Sequence, residues 1–293
     1  MLKTEFVKAR SLEEAFCAIS DRADASFVAG GTDLFVQIKE GKRKPSRLVS
    51  VREVPELLGI DLQRGSVVIG SAVPLSDVAS SAVVAGHAPL VADACLQIGS
   101  PQVRNRGTIG GNIGNASPAG DSITALIASG ARIRVKSLAG EREILLEASF
   151  LGPGKTVLSP DELITAVVVP VIQDHTRVAF EKYALRGGMD IAIVNVAISL
   201  DMVDGLVTDA RIALGAVAPT PIRAVEAERT IRGNRPSSSL IEEAARVAAR
   251  ECCPIDDVRG TASYRRHLVY VLTKRALAKV CQGNVGRVWG CAR

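Results

Sequence analysis

Two glycine-rich segments hold the residues whose types and spacing could do chemistry. The first reads Phe27, Val28, Ala29, Gly30, Gly31, Thr32, Asp33, Leu34. The second reads Thr108, Ile109, Gly110, Gly111, Asn112, Ile113, Gly114, Asn115, and runs on through Ser117, Pro118, Ala119 and Gly120 to Asp121. Glycine lets a backbone come close to a ligand and turn its N–H groups outward. A helix N-terminus adds the positive end of its dipole, so such a turn suits a pyrophosphate. The first segment is neither GxGxxG nor a P-loop, because no Lys-Ser/Thr pair follows the glycines. From the local pattern alone, an ordinary strand-to-helix turn capped by Thr32 is the favoured explanation. The second segment is a long stretch of small polar residues (Thr108, Asn112, Asn115, Ser117), and such loops in compact domains are commonly functional. Arg104 and Arg106 precede it and could balance ligand charge. Asp121 could accept hydrogen bonds from sugar hydroxyls, or cap a helix starting at Ser122.

The elements that must position these segments follow from pattern. Ser11 with Glu14 forms a capping box for a helix over residues 11–20. Residues 25–29 read as a buried strand, broken by Gly30-Gly31, and a helix from Thr32 runs to about Glu40 before Gly41. Residues 47–51 and 66–70 read as strands, 75–85 and 88–98 as helices, and 99–121 as a glycine-rich loop. A helix over 122–129 and strands over 131–136, 143–147 and 163–169 follow. Beyond Pro170, strands at 177–185, 192–200 and 206–214 include an Asp204-Gly205 hairpin signal. Helices over 221–232, 238–252 and 261–281 complete the chain; Leu268, Leu272, Ala276 and Val280 recur at helical spacing in the last. The expected boundary lies near 172–176, and residues 282–293, with Trp289, form a tail.

Composition limits the function classes. The chain has 293 residues, enough for about two domains. Hydrophobic residues make up 47% and charged residues 23%, which is ordinary for a globular chain and excludes extensive disorder. A net charge of +5 suits an anionic ligand. The basic run Lys39, Lys42, Arg43, Lys44 and Arg47 is better explained as charged surface or a partner interface than as a nucleic-acid site, since aromatics are only 3%. Cys17, Cys95, Cys252, Cys253, Cys281 and Cys291 form no CxxC pair, so neither a zinc site nor an iron–sulfur cluster is expected on this chain. They read as reduced thiols of a cytoplasmic protein. No signal peptide and no membrane span is evident. His87, His175 and His267 are scattered, and no acid–base triad is expected.

The two glycine motifs, in this order and some 75 positions apart, resemble the FAD-binding subunit of the molybdenum hydroxylases. The likeness continues through residues 152–164, 180–192 and 215–224 and covers nearly the whole chain. It implies an α+β fold: a PCMH-type FAD-binding domain over 1–172, with subdomains of about 1–55 and 56–172. A C-terminal domain over 177–281, of a three-stranded antiparallel sheet plus helices, would follow. It implies that FAD is held by Phe27, Val28, Ala29, Gly30, Gly31, Thr32, Asp33 and Leu34, and by Thr108, Ile109, Gly110, Gly111 and Asn112. Asp121 would bind FAD hydroxyls, Ile164 pack on the flavin ring, and Lys182 lie near the cofactor. Residues 183–192 resemble the segment that governs the approach of NAD.

The resemblance also places the chain in a heterotrimer. A large subunit would carry the molybdopterin and a small subunit the [2Fe–2S] clusters. Electrons would arrive from a cluster and leave from FAD to NAD, as in xanthine dehydrogenase. The alternative is an electron-relay subunit of a carbon monoxide, N-heterocycle or aldehyde dehydrogenase with another acceptor.

Overall fold

The computed structural model describes residues 4–186 and 188–282. The expected tail, with Trp289 and Cys291, lies outside the described residues.

Three sheets organise the chain. In the first, Arg47–Ser50 is central and pairs in parallel with Glu5–Lys8 and Ser26–Val28. The helix Leu12–Ser20 links the outer strands, as parallel pairing requires a crossover. Its capping box is half formed: the Ser11 hydroxyl accepts from the Glu14 N–H, but the Glu14 carboxylate takes the N–H of Arg10. Phe16 packs edge-on against Phe27, carrying this small core up to the first glycine turn.

The second sheet is antiparallel, in the order Ile60–Gln63, Ser66–Gly70, Leu163–Pro170, Arg132–Ser137, Gly140–Leu145. The strand Leu163–Pro170 is central, which explains why its residues are apolar save Thr165. Every residue of the helix Asp121–Ala128 is buried, because it lies between this sheet's core and the C-terminal sheet.

The C-terminal sheet comprises Thr176–Tyr183, Val194–Val203 and Leu206–Gly215, joined by a hairpin in which Asp204 and Gly205 both have positive φ. The expected three strands are four. Ile222–Arg223 adds a two-residue edge strand against Ala213 and Leu214, too short to leave a pattern in the sequence. Helices Val225–Ile231, Ser238–Glu251 and Ala262–Cys281 pack with this sheet in a second core, and Leu268, Leu272, Ala276 and Val280 are buried as their spacing predicts.

Several local expectations change. The helix after the first glycine turn is Leu34–Lys39, and Thr32 does not cap it. The Thr32 hydroxyl lies 3.4 Å from the Asp33 carboxylate, and no side chain caps this helix. The region 75–98 holds three helices, not two, because Ser81 caps a new start and Pro89 opens another. The stretch 99–121 is not one loop. It contains helices Pro101–Arg104 and Ile109–Asn115, capped by Ser100 and Thr108. Among the described residues no helix is long and apolar enough to cross a membrane, and no side-chain group is arranged to hold a metal ion.

Candidate functional site

The two glycine segments face one cleft of about 690 Å³, within the ~300–1,000 Å³ typical of cofactor pockets. All of Phe27, Val28, Ala29, Gly30, Gly31, Thr32, Asp33 and Leu34 line it. So do Thr108, Gly110, Gly111, Asn112, Asp121 and Ile164. Two of the sequence-predicted residues do not. Ile109 is fully buried in the core beneath the cleft, and Lys182 reaches it only through the lining residues Asp121 and Asp190.

The glycines serve packing as much as ligand approach. A Cβ on Gly30 would lie 2.2 Å from the Arg106 carbonyl oxygen, and one on Gly110 would lie 2.5 Å from the Ser71 Cβ. These positions are glycine because backbone meets backbone there. Arg52, which the sequence reading passed over, holds that junction by donating to the carbonyls of Arg106 and Asn105. Gly114 is different: it lines the cleft, and a Cβ there would meet nothing within 4 Å.

The free hydrogen-bond donors lie in the first motif. In the helix Ile109–Asn115 the opening N–H groups are already taken. Ile109 donates to the Val73 carbonyl, Gly110 to the Ser71 carbonyl, Gly111 to the Thr108 hydroxyl and Asn112 to the Thr108 carbonyl. By contrast, the N–H groups of residues 30–34 have no backbone acceptor among the described residues. Gly31 adopts φ +73°, the left-handed conformation that recurs in backbone turns that bind anions. At the other wall, the N–H groups of Asp121 and Ser122, at an uncapped helix start, are likewise without a backbone acceptor. Side chains tie the walls together: Gln37 donates to Asn115 at 3.2 Å, and Ser122 donates to Asn112 at 2.8 Å.

Asp121 is the most constrained polar group of the site. It is the first residue of its helix, not the cap, and is 5% exposed. Its Oδ2 lies 2.6 Å from Lys182 Nζ and its Oδ1 accepts from Asn195 Nδ2 at 2.7 Å. The Lys182 ammonium also donates to the carbonyls of Gln97 and Asp190, which uses all three of its protons. Burial pushes the Asp121 carboxyl above its usual range, and the Lys182 charge and the two hydrogen bonds partly offset this. The sequence reading did not single out Asn195. A lone Asn inside a buried strand is itself a signal, because a buried amide requires a partner.

The cleft's rim includes Met189, Asp190 and Ile191, with Met189 and Ile191 largely exposed. Arg186 and Asp190 close this loop as an ion pair at 2.8 Å, and the Met189 N–H donates to the Gly99 carbonyl. Ile164 sits at a bulge in its strand and presents an apolar wall with Leu163. Of the basic residues, Arg43 lines the cleft; Arg104 and Arg106 do not. Arg104 donates to the Ile98 carbonyl, so its charge is used within the fold. Arg47 is held by Glu5, Asp21 and the Ala18 carbonyl, which dissolves the basic run as a unit.

Comparison with known proteins follows this geometry. Residues 2–172 match the family described as the FAD binding domain in molybdopterin dehydrogenase. Residues 179–280 match the CO dehydrogenase flavoprotein C-terminal domain. The chain is 30% identical to the xanthine dehydrogenase FAD-binding subunit of Escherichia coli O157:H7 over 96% of this chain and 97% of that one. It is 33% identical to the carbon monoxide dehydrogenase medium chain of Hydrogenophaga pseudoflava, over 93% and 95%. Among solved structures, a chain of the carbon monoxide dehydrogenase from Hydrogenophaga pseudoflava superposes with a TM-score of 0.92 at 34% identity, covering 95% of this chain and 97% of that one. A chain of quinoline 2-oxidoreductase from Pseudomonas putida 86 gives 0.91 at 30%, covering 96% and 97%. On these matches, which together span residues 2–172 and 179–280, the chain belongs to the FAD-binding medium subunits of the molybdenum hydroxylase family.

Proposed function

We propose that this oxidoreductase subunit takes electrons from iron–sulfur clusters on a partner subunit and passes them from FAD to NAD, in the manner of a xanthine dehydrogenase. A molybdopterin-binding large subunit would complete the assembly, in the cytoplasm. The residues present fit FAD. The unpartnered N–H groups of residues 30–34 suit its pyrophosphate, Asp121 suits its hydroxyls, and the apolar wall at Ile164 suits its ring. The meeting of these three features in one cleft is the observation that carries the proposal.

When bound, FAD supplies the redox chemistry, and the protein supplies position and electrostatics. The backbone of residues 30–34 binds and orients. Lys182 favours the charged form of Asp121 against the burial that opposes it, and a carboxylate so held accepts hydrogen bonds. Exposed Met189 and Ile191 beside Ile164 leave an apolar approach for a flat ring such as nicotinamide.

A relay to an acceptor other than NAD is the second reading, favoured by the equal likeness to carbon monoxide and quinoline enzymes. Anaerobic addition of NADH to the FAD-loaded chain separates the two. Bleaching of the flavin band supports the NAD reading. A spectrum unchanged by NADH but bleached by dithionite refutes it in favour of the relay.

A further inference from the structure

We propose that Asn195 is a positioning residue for flavin binding: its amide fixes the plane of the Asp121 carboxylate so that the free lone pairs point into the cleft. This rests on the FAD reading above and deepens it.

The argument begins with a row across the C-terminal sheet. Lys182, Asn195 and Gly215 are direct cross-strand neighbours on three successive strands. Lys182 and Asn195 both reach the first turn of the helix Asp121–Ala128. They share the Asp121 carboxylate, one on each oxygen. Their contributions differ in kind. The ammonium of Lys182 is a compact charge shared among Asp121, Gln97 and Asp190, and it leaves the carboxylate free to swing about that contact. A second, planar donor on the other oxygen removes that freedom. Asn195 Nδ2 supplies it at 2.7 Å.

The amide has nowhere else to go. Asn195 is fully buried, and a Cβ on Gly215 would lie 2.1 Å from its Oδ1 and 2.5 Å from the Thr124 hydroxyl. Glycine at 215 makes the space, and the amide fills it. Its Oδ1 has no hydrogen-bond partner, which costs stability in a dry interior. A residue serving only packing would be apolar there and avoid that cost. The amide is therefore explained by its one hydrogen bond, the bond to Asp121.

The test is a double-mutant cycle on the full chain, read as FAD affinity by quenching of flavin fluorescence. Asn195→Ala is expected to weaken FAD binding about 10-fold, and Asp121→Ala by at least as much. In the Asp121→Ala background, Asn195→Ala is expected to change affinity by less than about 2-fold, because its effect passes through the missing carboxylate. Equal losses in both backgrounds would overturn the proposal and leave the FAD reading standing. No effect of Asp121→Ala would overturn the proposal alone, and no FAD binding by the wild-type chain would overturn both. Asn195→Leu keeps the approximate shape and removes the donor without adding a buried charge, and its melting temperature separates a folding defect from a loss of positioning. It is expected to weaken FAD binding about as much as Asn195→Ala, and wild-type affinity in this variant would refute the role.

Discussion

Gly30→Ala tests whether the two glycine motifs meet as described. The added Cβ would sit 2.2 Å from the Arg106 carbonyl oxygen, 1.2 Å inside the 3.4 Å at which ordinary contact begins. It would also lie 2.8 Å from the Gly107 Cα. Both obstacles are backbone, and Arg52 holds the Arg106 carbonyl in place at 3.1 Å. Neither side can yield cheaply, so the cost falls in the overpacking range of about 1–3 kcal/mol. In a chain of this size that lowers the melting temperature of the FAD-free protein by roughly 2–10 °C. Gly114→Ala is the control. It lies in the helix Ile109–Asn115 with nothing within 4 Å of its Cβ, so the helix gains about 0.5–1 kcal/mol over glycine. The melting temperature is expected to rise slightly while FAD affinity falls about 10-fold, because the methyl group projects into the cleft. Differential scanning fluorimetry and flavin-fluorescence titration read both quantities. An unchanged melting temperature for Gly30→Ala would refute the close junction. Undiminished FAD binding by Gly114→Ala would refute the placement of the ligand against that helix.

Other expectations follow from the buried charges. Lys182→Met leaves Asp121 buried without a counter-charge, and the FAD-free chain should lose about 3–5 kcal/mol of stability by urea denaturation. Adding Asp121→Asn should recover much of it, and a double variant no better than the single one would contradict the pairing. Asp257 contributes to acid stability. Burial alone would raise its carboxyl, but the Arg259 N–H and the buried Arg265 guanidinium outweigh this and hold it below its usual 3.8. With the folded value below the unfolded one, its contribution is present above about pH 4 and is lost as pH falls through the folded value. Asp121, pushed up by burial, has the opposite sign, so the comparison is made between wild type and Asp257→Asn. The variant should melt lower at pH 7 and lose less than wild type on acidification, and parallel losses would refute the assignment.

Much of the scaffold was legible because its patterns are local. The central strand Leu163–Pro170 is apolar save for Thr165, the Asp204-Gly205 turn announces its hairpin, and the helix Ala262–Cys281 shows its buried face by spacing. The helix Ile109–Asn115 was not legible. Three of its seven residues are glycine, each costing about 1 kcal/mol relative to alanine, so propensity reads it as loop. It forms because Thr108 caps it and Ile109 and Ile113 are buried in the core, which is tertiary context overriding local preference. Thr32 misled in the opposite sense: a capping residue in the right place, whose hydroxyl turns to Asp33 instead. The site's polar centre was half legible. Asp121 and Lys182 are 61 residues apart and Asp121 and Asn195 are 74 apart, and only the packing of a helix against a distant sheet joins them. Gly30 and Gly110 stood out as glycines, but their packing role depends on backbone segments that no local pattern reveals.

The most direct measurement is a titration of the purified full chain with FAD, followed by flavin fluorescence and visible absorbance. Saturation at one FAD per chain is expected, with quenched fluorescence and affinity lost in both Gly114→Ala and Asp121→Ala. No binding, or binding indifferent to both substitutions, would contradict the claim that this cleft holds the flavin.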